Sequence, residues 1–416
     1  MSLYLGIDFG TSGARAVVID AAGTIQAETE YPFTEIIKTD VTTNWKNALF
    51  TLIEQIPSRI RRDITRVAID GTSGTVLLCD RTGNPVSSPL LYNDDRGVAI
   101  MEQLRTIAPA NHVVLSATSS LAKLLWLIQN SKSEIHNYYF LHQADWLAFL
   151  LHGQLGISDY HNALKLGYDP EKLCYPIWIE ELSLTPILPK VLAPGTPVSE
   201  VKSDIYNQLG LGKDCIVCTG TTDSIAAFLA SGAKYPGEAV TSLGSTLVLK
   251  LLSETRVDNS DYGIYSHRLG DLWLTGGASN TGGAVLRQFF NDAELENISQ
   301  QIDPNLESPL DYYPLLKVGD RFPINDPYLS PRLEPRPDQP VEFLHGLLES
   351  IARIETRGYQ LLQQLGATPL TRIYTAGGGA KNSTWTAIRS RQLQVSIVPS
   401  IHTAAAYGTA RLVIEF

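Results

Sequence analysis

The sequence predicts an α/β protein of two similar units, each with a mixed sheet, and a cleft between them. Three observations lead there. The chain has 416 residues, more than one hydrophobic core usually serves, so two domains are expected. A strand, a turn of Gly, Ser and Thr, and a second strand occur at Leu5–Asp20 and again at Glu238–Leu249. One copy in each half is the mark of a duplicated architecture. Near the end, Thr371–Ala376 reads as a strand running into Gly377-Gly378-Gly379 and then a helix, Thr384–Leu393.

The first of these stretches carries chemistry. Asp8 lies where an apolar strand enters the turn Gly10-Thr11-Ser12-Gly13, so a carboxylate is held at a rigid tip. Small residues let backbone N–H groups approach an anion, and the hydroxyls can hydrogen-bond it. A carboxylate beside a phosphate cradle suits a metal–nucleotide site. A plain hairpin with a solvated Asp gives the same local pattern.

Composition bounds the rest. Hydrophobic residues make up 44% of the chain, and the net charge is −10 without a long basic run. That argues against nucleic acid and against an anionic membrane surface as partners. No apolar run reaches the ~20 residues of a membrane span, and the first strand begins almost at Met1, which leaves no signal peptide. A soluble, cytoplasmic protein is expected. The four cysteines are too few and scattered for a disulfide framework. Cys215 and Cys218 have redox spacing, but they sit in an apolar strand and read as packed thiols.

Between the hairpins, Thr42–Ile56 has apolar residues at helical spacing. Val67–Asp70 is a strand ending in Gly71-Thr72-Ser73-Gly74, and Val76–Cys79 returns as another. The polar cluster Asn93-Asp94-Asp95-Arg96 reads as a solvated turn, though these residue types also suit sugar hydroxyls. Leu121–Gln129 and Asp145–Leu151 read as helices, the first mostly core by composition. His142 and His152 fall at helix edges. Residues 153–213 are proline-punctuated and largely unreadable. Cys215–Gly220 is a strand, and Asp223 stands before the short helix Ile225–Ser231. It reads either as an N-cap or as a catalytic base presented at a strand-to-helix corner.

In the second half, Thr275–Ala284 is a glycine-rich strand end leading into helix Val285–Phe290. Residues 304–340 contain nine prolines, which predicts an irregular surface excursion or flap outside the core. Thr403–Glu415 is an Ala-rich helix whose Gly408 implies close packing on a neighbour. In the glycine loop before Thr384, bare backbone lets a flat base lie close, and the helix start offers N–H groups. Neither a P-loop nor a dinucleotide fingerprint is present.

These elements, in this order, resemble the FGGY family of carbohydrate kinases, and the likeness covers nearly the whole chain. The resemblance implies two RNase H-like domains of the actin/Hsp70 ATPase type, at residues 1–228 and 229–416. Leu5–Asp20 is similar to the family's first phosphate motif, Val240–Leu249 to its second, and Ile373–Leu393 to its adenosine motif. Gly220–Ala227 is similar to the catalytic-Asp segment, and Asn93–Arg96 to the Asn-Asp-x-Arg sugar segment. The implied cofactors are ATP and Mg²⁺, the implied partner a small sugar, with nucleic acid and membrane excluded.

Carried over by position, Asp8 would hold Mg²⁺. Thr11, Ser12 and Gly13 would contact phosphates, joined by Gly244 and Ser245 from the second domain, and Gly283 would lie along the nucleotide. Gly377, Gly378 and Asn382 would hold adenosine, with Trp385 as a stacking face. Asp223 would accept the proton of the attacking hydroxyl, and Ser73, Asp94 and Ser224 would touch the sugar together with Asp8. Two departures bear on substrate. Xylulose kinases of the family usually carry Met-His, and glycerol kinases Arg-Glu, where this chain has Ser73-Gly74. The family's Tyr-Leu-Ser-Gly-Glu-Arg segment appears here as Tyr328-Leu329-Ser330-Pro331-Arg332. The chain is short for the family and looks most like a compact subgroup of cyanobacteria and plant plastids associated with ketopentoses. The resemblance therefore implies 5-phosphorylation of D-ribulose, with D-xylulose or another small polyol behind it. A sugar-independent ATPase switch and a non-catalytic nucleotide-binding module are the alternatives of other classes.

Overall fold

In a computed structural model of the protein, residues 2–33, 40–130 and 137–415 are described. The chain forms two compact units. One takes in the residues up to Ala230 together with the chain from Ala404 onward, and the other is Ser231–Thr403. The C-terminal helix, Ala405–Glu415, belongs to the first unit because its small face packs there. A Cβ on Gly408 would stand 1.8 Å from the carbonyl oxygen of Ala226, so only glycine permits that approach.

The strands of the first unit are β1 (Leu3–Phe9), β2 (Gly13–Asp20), β3 (Ile25–Pro32), β4 (Ile64–Gly71), β5 (Val76–Cys79), β6 (Tyr139–His142), β7 (Ile157–Asp159), β8 (Lys190–Leu192), β9 (Pro197–Glu200), β10 (Ile216–Cys218) and the two-residue β11 (Thr221–Thr222). The main sheet runs β3-β2-β1-β4-β10-β9, with β11 also on β4. The first three strands are an antiparallel meander, and β4 and β10 then add in parallel. Trp45, Leu49, Leu52 and Ile53 of helix Val41–Gln55 pack with Leu5, Ile7, Leu147 and Leu151 in one core. Ala406, Tyr407 and Ala410 pack with Val17, Ile19 and Ala230 in another.

The second unit has β12 (Glu238–Leu243), β13 (Leu247–Ser253), β14 (His267–Leu269), β15 (Leu272–Ser279), β16 (Arg372–Ala376) and β17 (Ser396–Pro399), ordered β14-β15-β13-β12-β16-β17. Five strands repeat the first unit. β15-β13-β12 is an antiparallel meander, and β16 and β17 add in parallel. The duplication read from two similar hairpins therefore extends to the whole sheet.

Residues 304–340 contain no regular helix or strand before the long helix Pro340–Gln364. They are nevertheless not a flap outside the core. Tyr312, Tyr313, Leu315 and Phe322 are buried with the helix residues Phe343, Leu347 and Ile351. Asp320 anchors the segment, accepting from Ser279 Oγ at 2.6 Å, Tyr313 Oη at 2.7 Å and the Asn280 N–H at 2.9 Å. Aromatic burial overrides the irregular backbone that the prolines impose. Cys215 and Cys218 are buried, and desolvation pushes their thiols up to about 12 and about 11, which keeps both protonated and inert. Among the described residues, no helix is long and apolar enough to cross a membrane.

His142 and His152 bracket helix Gln143–His152, His142 as its N-cap and His152 as its last residue. Burial, and then the charge of Lys202, push His152 down to about 4. Its Nδ1 accepts the Gln154 N–H at 2.9 Å. An unfolded histidine titrates near 6.5. A depressed folded value means stability that is complete above 6.5 and is lost as pH falls through 4, roughly 3 kcal/mol in all. The full chain should therefore weaken between pH 6.5 and 4, and His152→Leu should flatten that slope in denaturant titrations. An unchanged slope would show that burial does not exclude the charge.

Candidate active site

In the first unit, three neighbouring parallel segments end together. Across the β1–β4 pairing Asp8 faces Asp70, and across β4–β11 Asp70 faces Thr221 and Gly71 faces Thr222. Asp223 follows at once as the first residue of helix Asp223–Ser231. Carboxyl ends of parallel strands are where open α/β sheets bind ligands.

Burial raises Asp8, and the charge of Asp223 adds to that rise. The hydrogen bond with Asp70 and the charge of Arg15 oppose it. Asp70 is fully buried. Desolvation first, and the Asp8 charge second, drive it well above the carboxylate range, although Thr409 Oγ1 donates to its Oδ2 at 2.5 Å. Burial and the Asp8 charge thus both favour the protonated form of Asp70. Sequence reasoning assigned Asp70 to a strand end and gave it no role, and an Asp closing an apolar run was its only signal.

The other expected residues of the first unit lie on the turns that follow these strands. Thr11 and Ser12 are exposed on the β1–β2 turn, which the Gly10 N–H closes on the Gly13 carbonyl at 3.0 Å. Ser73 is half-buried in the turn after β4. Thr72 there donates its N–H and hydroxyl to Gln143 Oε1 at 3.0 and 3.1 Å. The corner before Asp223 is pinned as well. Thr221 Oγ1 is 2.7 Å from His161 Nδ1, and its carbonyl accepts from Asn162 Nδ2 at 3.2 Å. Asn162 Nδ2 also donates to Asp159 at 2.6 Å. All of these partners are buried. They come from the segment 153–213 that sequence reasoning left unread. Ser224 is exposed one residue on and donates its N–H to Asp223.

Asp94 is engaged by its neighbour. Arg96 Nε donates to both carboxylate oxygens at 3.0 Å, which holds Asp94 below the usual carboxylate range. The Arg96 guanidinium in turn lies 4.7 Å from the centre of the Trp126 ring.

In the second unit, the β12–β13 turn Gly244-Ser245-Thr246 is clasped by the next glycine pair. The Gly283 N–H donates to the Gly244 carbonyl at 2.9 Å and the Ala284 N–H to that of Ser245 at 3.2 Å. Gly377 has φ 85°, and a Cβ there would stand 2.6 Å from the Leu243 carbonyl oxygen. Both glycine loops thus meet at the end of β12. Gly378 faces more open space, its nearest neighbour being an Arg287 nitrogen 3.8 Å from a would-be Cβ. Asn382 caps helix Ser383–Leu393, accepting the Trp385 N–H at 2.9 Å, and its Nδ2 donates to Ser299 at 2.8 Å. The stacking face expected of Trp385 is corrected, because its ring is 2% exposed and packed in the core.

Residues 3–230 match the N-terminal domain, and residues 239–414 the C-terminal domain, of the FGGY family of carbohydrate kinases. The chain belongs to this family. It is a carbohydrate kinase, with the two-domain α/β fold of actin/Hsp70-like ATPases. Xylulose kinase of Staphylococcus xylosus is 22% identical over 99% of this chain and 90% of its own length. Glycerol kinase of Koribacter versatilis is 25% identical over 98% and 88%. Among solved structures, a xylulose kinase from Brucella ovis superposes with a TM-score of 0.84 at 21% identity, covering 99% of this chain and 89% of the other.

Proposed function

We propose that this FGGY kinase transfers the γ-phosphoryl group of Mg-ATP to a hydroxyl of a ketopentose, and that D-ribulose, phosphorylated at its 5-position, is the preferred acceptor. The observation that carries the reading is the turn after β4. Ser73 is its one partly exposed residue, between buried Thr72 and Gly74, so it offers a small neutral hydroxyl in the turn after β4, the strand that pairs with β1 and β11. It lacks the Met-His and Arg-Glu pairs associated above with xylulose and glycerol kinases.

In this reading Asp223 accepts the proton of the attacking hydroxyl, while Ser73, Asp94 and Ser224 orient the sugar. Thr11, Ser12 and Gly13, with Gly244 and Ser245, hold phosphate oxygens. Gly283 lines the nucleotide, and Gly377, Gly378 and the capping Asn382 shape the adenosine end. Asp8 would hold Mg²⁺, which neutralises phosphate charge when bound. Positioning and charge neutralisation then supply most of the acceleration.

The test is ADP release with Mg-ATP against D-ribulose, D-xylulose, L-ribulose and glycerol. The highest kcat/KM is expected with D-ribulose. A higher value for D-xylulose, in line with the relatives of that name, moves the assignment there. Turnover indifferent to every sugar replaces the kinase reading with that of an ATPase switch.

A further inference from the structure

Lys123 is a fully buried cation on helix Ser120–Asn130, and none of the roles above uses it. Its Nζ donates to the carbonyl oxygens of Gly74 at 2.8 Å, Leu91 at 2.5 Å and Tyr92 at 3.4 Å. Three donors meet three acceptors, so the ammonium is satisfied by backbone alone. Those carbonyls belong to two separate loops. Gly74 follows Ser73, and Tyr92 stands two residues before Asp94.

The same helix supports the second loop at two further points. Trp126, one turn beyond Lys123, lies against the Arg96 guanidinium that grips Asp94. A Cβ on Gly97 would stand 2.8 Å from that of Ala122. Burial pushes the Lys123 ammonium down to about 8, with the charge of Asp94 opposing. A methionine would fill this space without that desolvation cost. What the lysine adds is a fixed distance between two carbonyl-bearing loops.

We propose that Lys123 is a positioning residue for the acceptor sugar, tying the Ser73 turn to the Asp94 turn so that both present their side chains to one ligand. This rests on the acceptor reading of those turns given above.

The experiment compares wild-type protein with Lys123→Met, which keeps the stem and removes the donors, and with the milder Lys123→Gln. It measures KM for D-ribulose and KM for ATP separately, with the melting temperature as a check on folding. Loss of the tie should raise the D-ribulose KM about tenfold or more, the scale of one to two hydrogen bonds, while the ATP KM stays within about twofold. A folded variant with wild-type D-ribulose KM overturns the proposal, and so does a parallel rise in both KM values. If neither variant folds, Lys123 serves stability alone and the proposal falls. Wild-type protein that no sugar stimulates defeats the acceptor reading and this proposal with it. Sugar-stimulated wild type beside a folded variant with unchanged D-ribulose KM defeats only the role of Lys123.

Discussion

Asp223→Asn should lower sugar-stimulated ADP release by about 10²–10⁴-fold, the range a general base contributes. Asn keeps the shape of Asp and cannot take a proton. Asp223 occupies the first position of its helix, beside Asp8 and next to a corner pinned by β4, His161 and Asn162. A carboxylate in the first turn is also favoured by the helix dipole, typically by about 0.3–1 kcal/mol. The variant should therefore melt within a few degrees of wild type while losing turnover. Retained turnover with a lowered melting temperature would reverse the assignment and leave Asp223 as a helix-start residue. Steady-state kinetics with Mg-ATP and D-ribulose, beside a thermal melt, separates the two.

The second large effect is expected in the other unit. Arg389 and Glu355 are both fully buried and form a bidentate pair, Nε to Oε2 at 2.6 Å and Nη2 to Oε1 at 2.7 Å. Arg389 also donates to Thr375 Oγ1 at 2.9 Å, and Thr241 Oγ1 donates to Glu355 at 2.6 Å. One ion pair thus joins β12, β16, the long helix and helix Ser383–Leu393. Arg389→Met should destabilise this unit by about 3–5 kcal/mol, because it strands a buried carboxylate. The double variant Arg389→Met/Glu355→Leu should recover much of the loss, since no charge is then left unpaired. Calorimetry on the full chain reads both. A single variant as stable as wild type would mean that Glu355 takes up a proton at little cost. Because β12 leads into Gly244 and β16 into Gly377, the proposed nucleotide end, the single variant should also raise the KM for ATP.

The two phosphate hairpins and the glycine loop were legible because each is a local pattern. An apolar alternation broken by Gly, Ser and Thr predicts strand and turn within a dozen residues. Asp223 was legible as a residue type at a corner, but helix start and catalytic base share that pattern, and the turnover of Asp223→Asn is what separates them. Lys123 read as core because its neighbours are Leu121, Ala122, Leu124 and Leu125. Its acceptors are 49, 32 and 31 residues away in the chain. Asp70 takes its hydrogen bond from Thr409, 339 residues on, and nothing near Asp70 in sequence signals that.

By itself, then, the sequence determined that the chain is α/β and duplicated, where its Gly-Ser-Thr turns fall, and that it is a carbohydrate kinase of the FGGY type. Tertiary structure decided that the last helix returns to the first unit, that the proline-rich segment carries core aromatics, that Trp385 is buried, and that a fully buried Asp70 stands beside Asp8. The physical reason is range. Turn chemistry and strand periodicity act over a few residues, whereas desolvation, carboxylate pairing and the satisfaction of buried carbonyls depend on which distant segments the fold brings into contact.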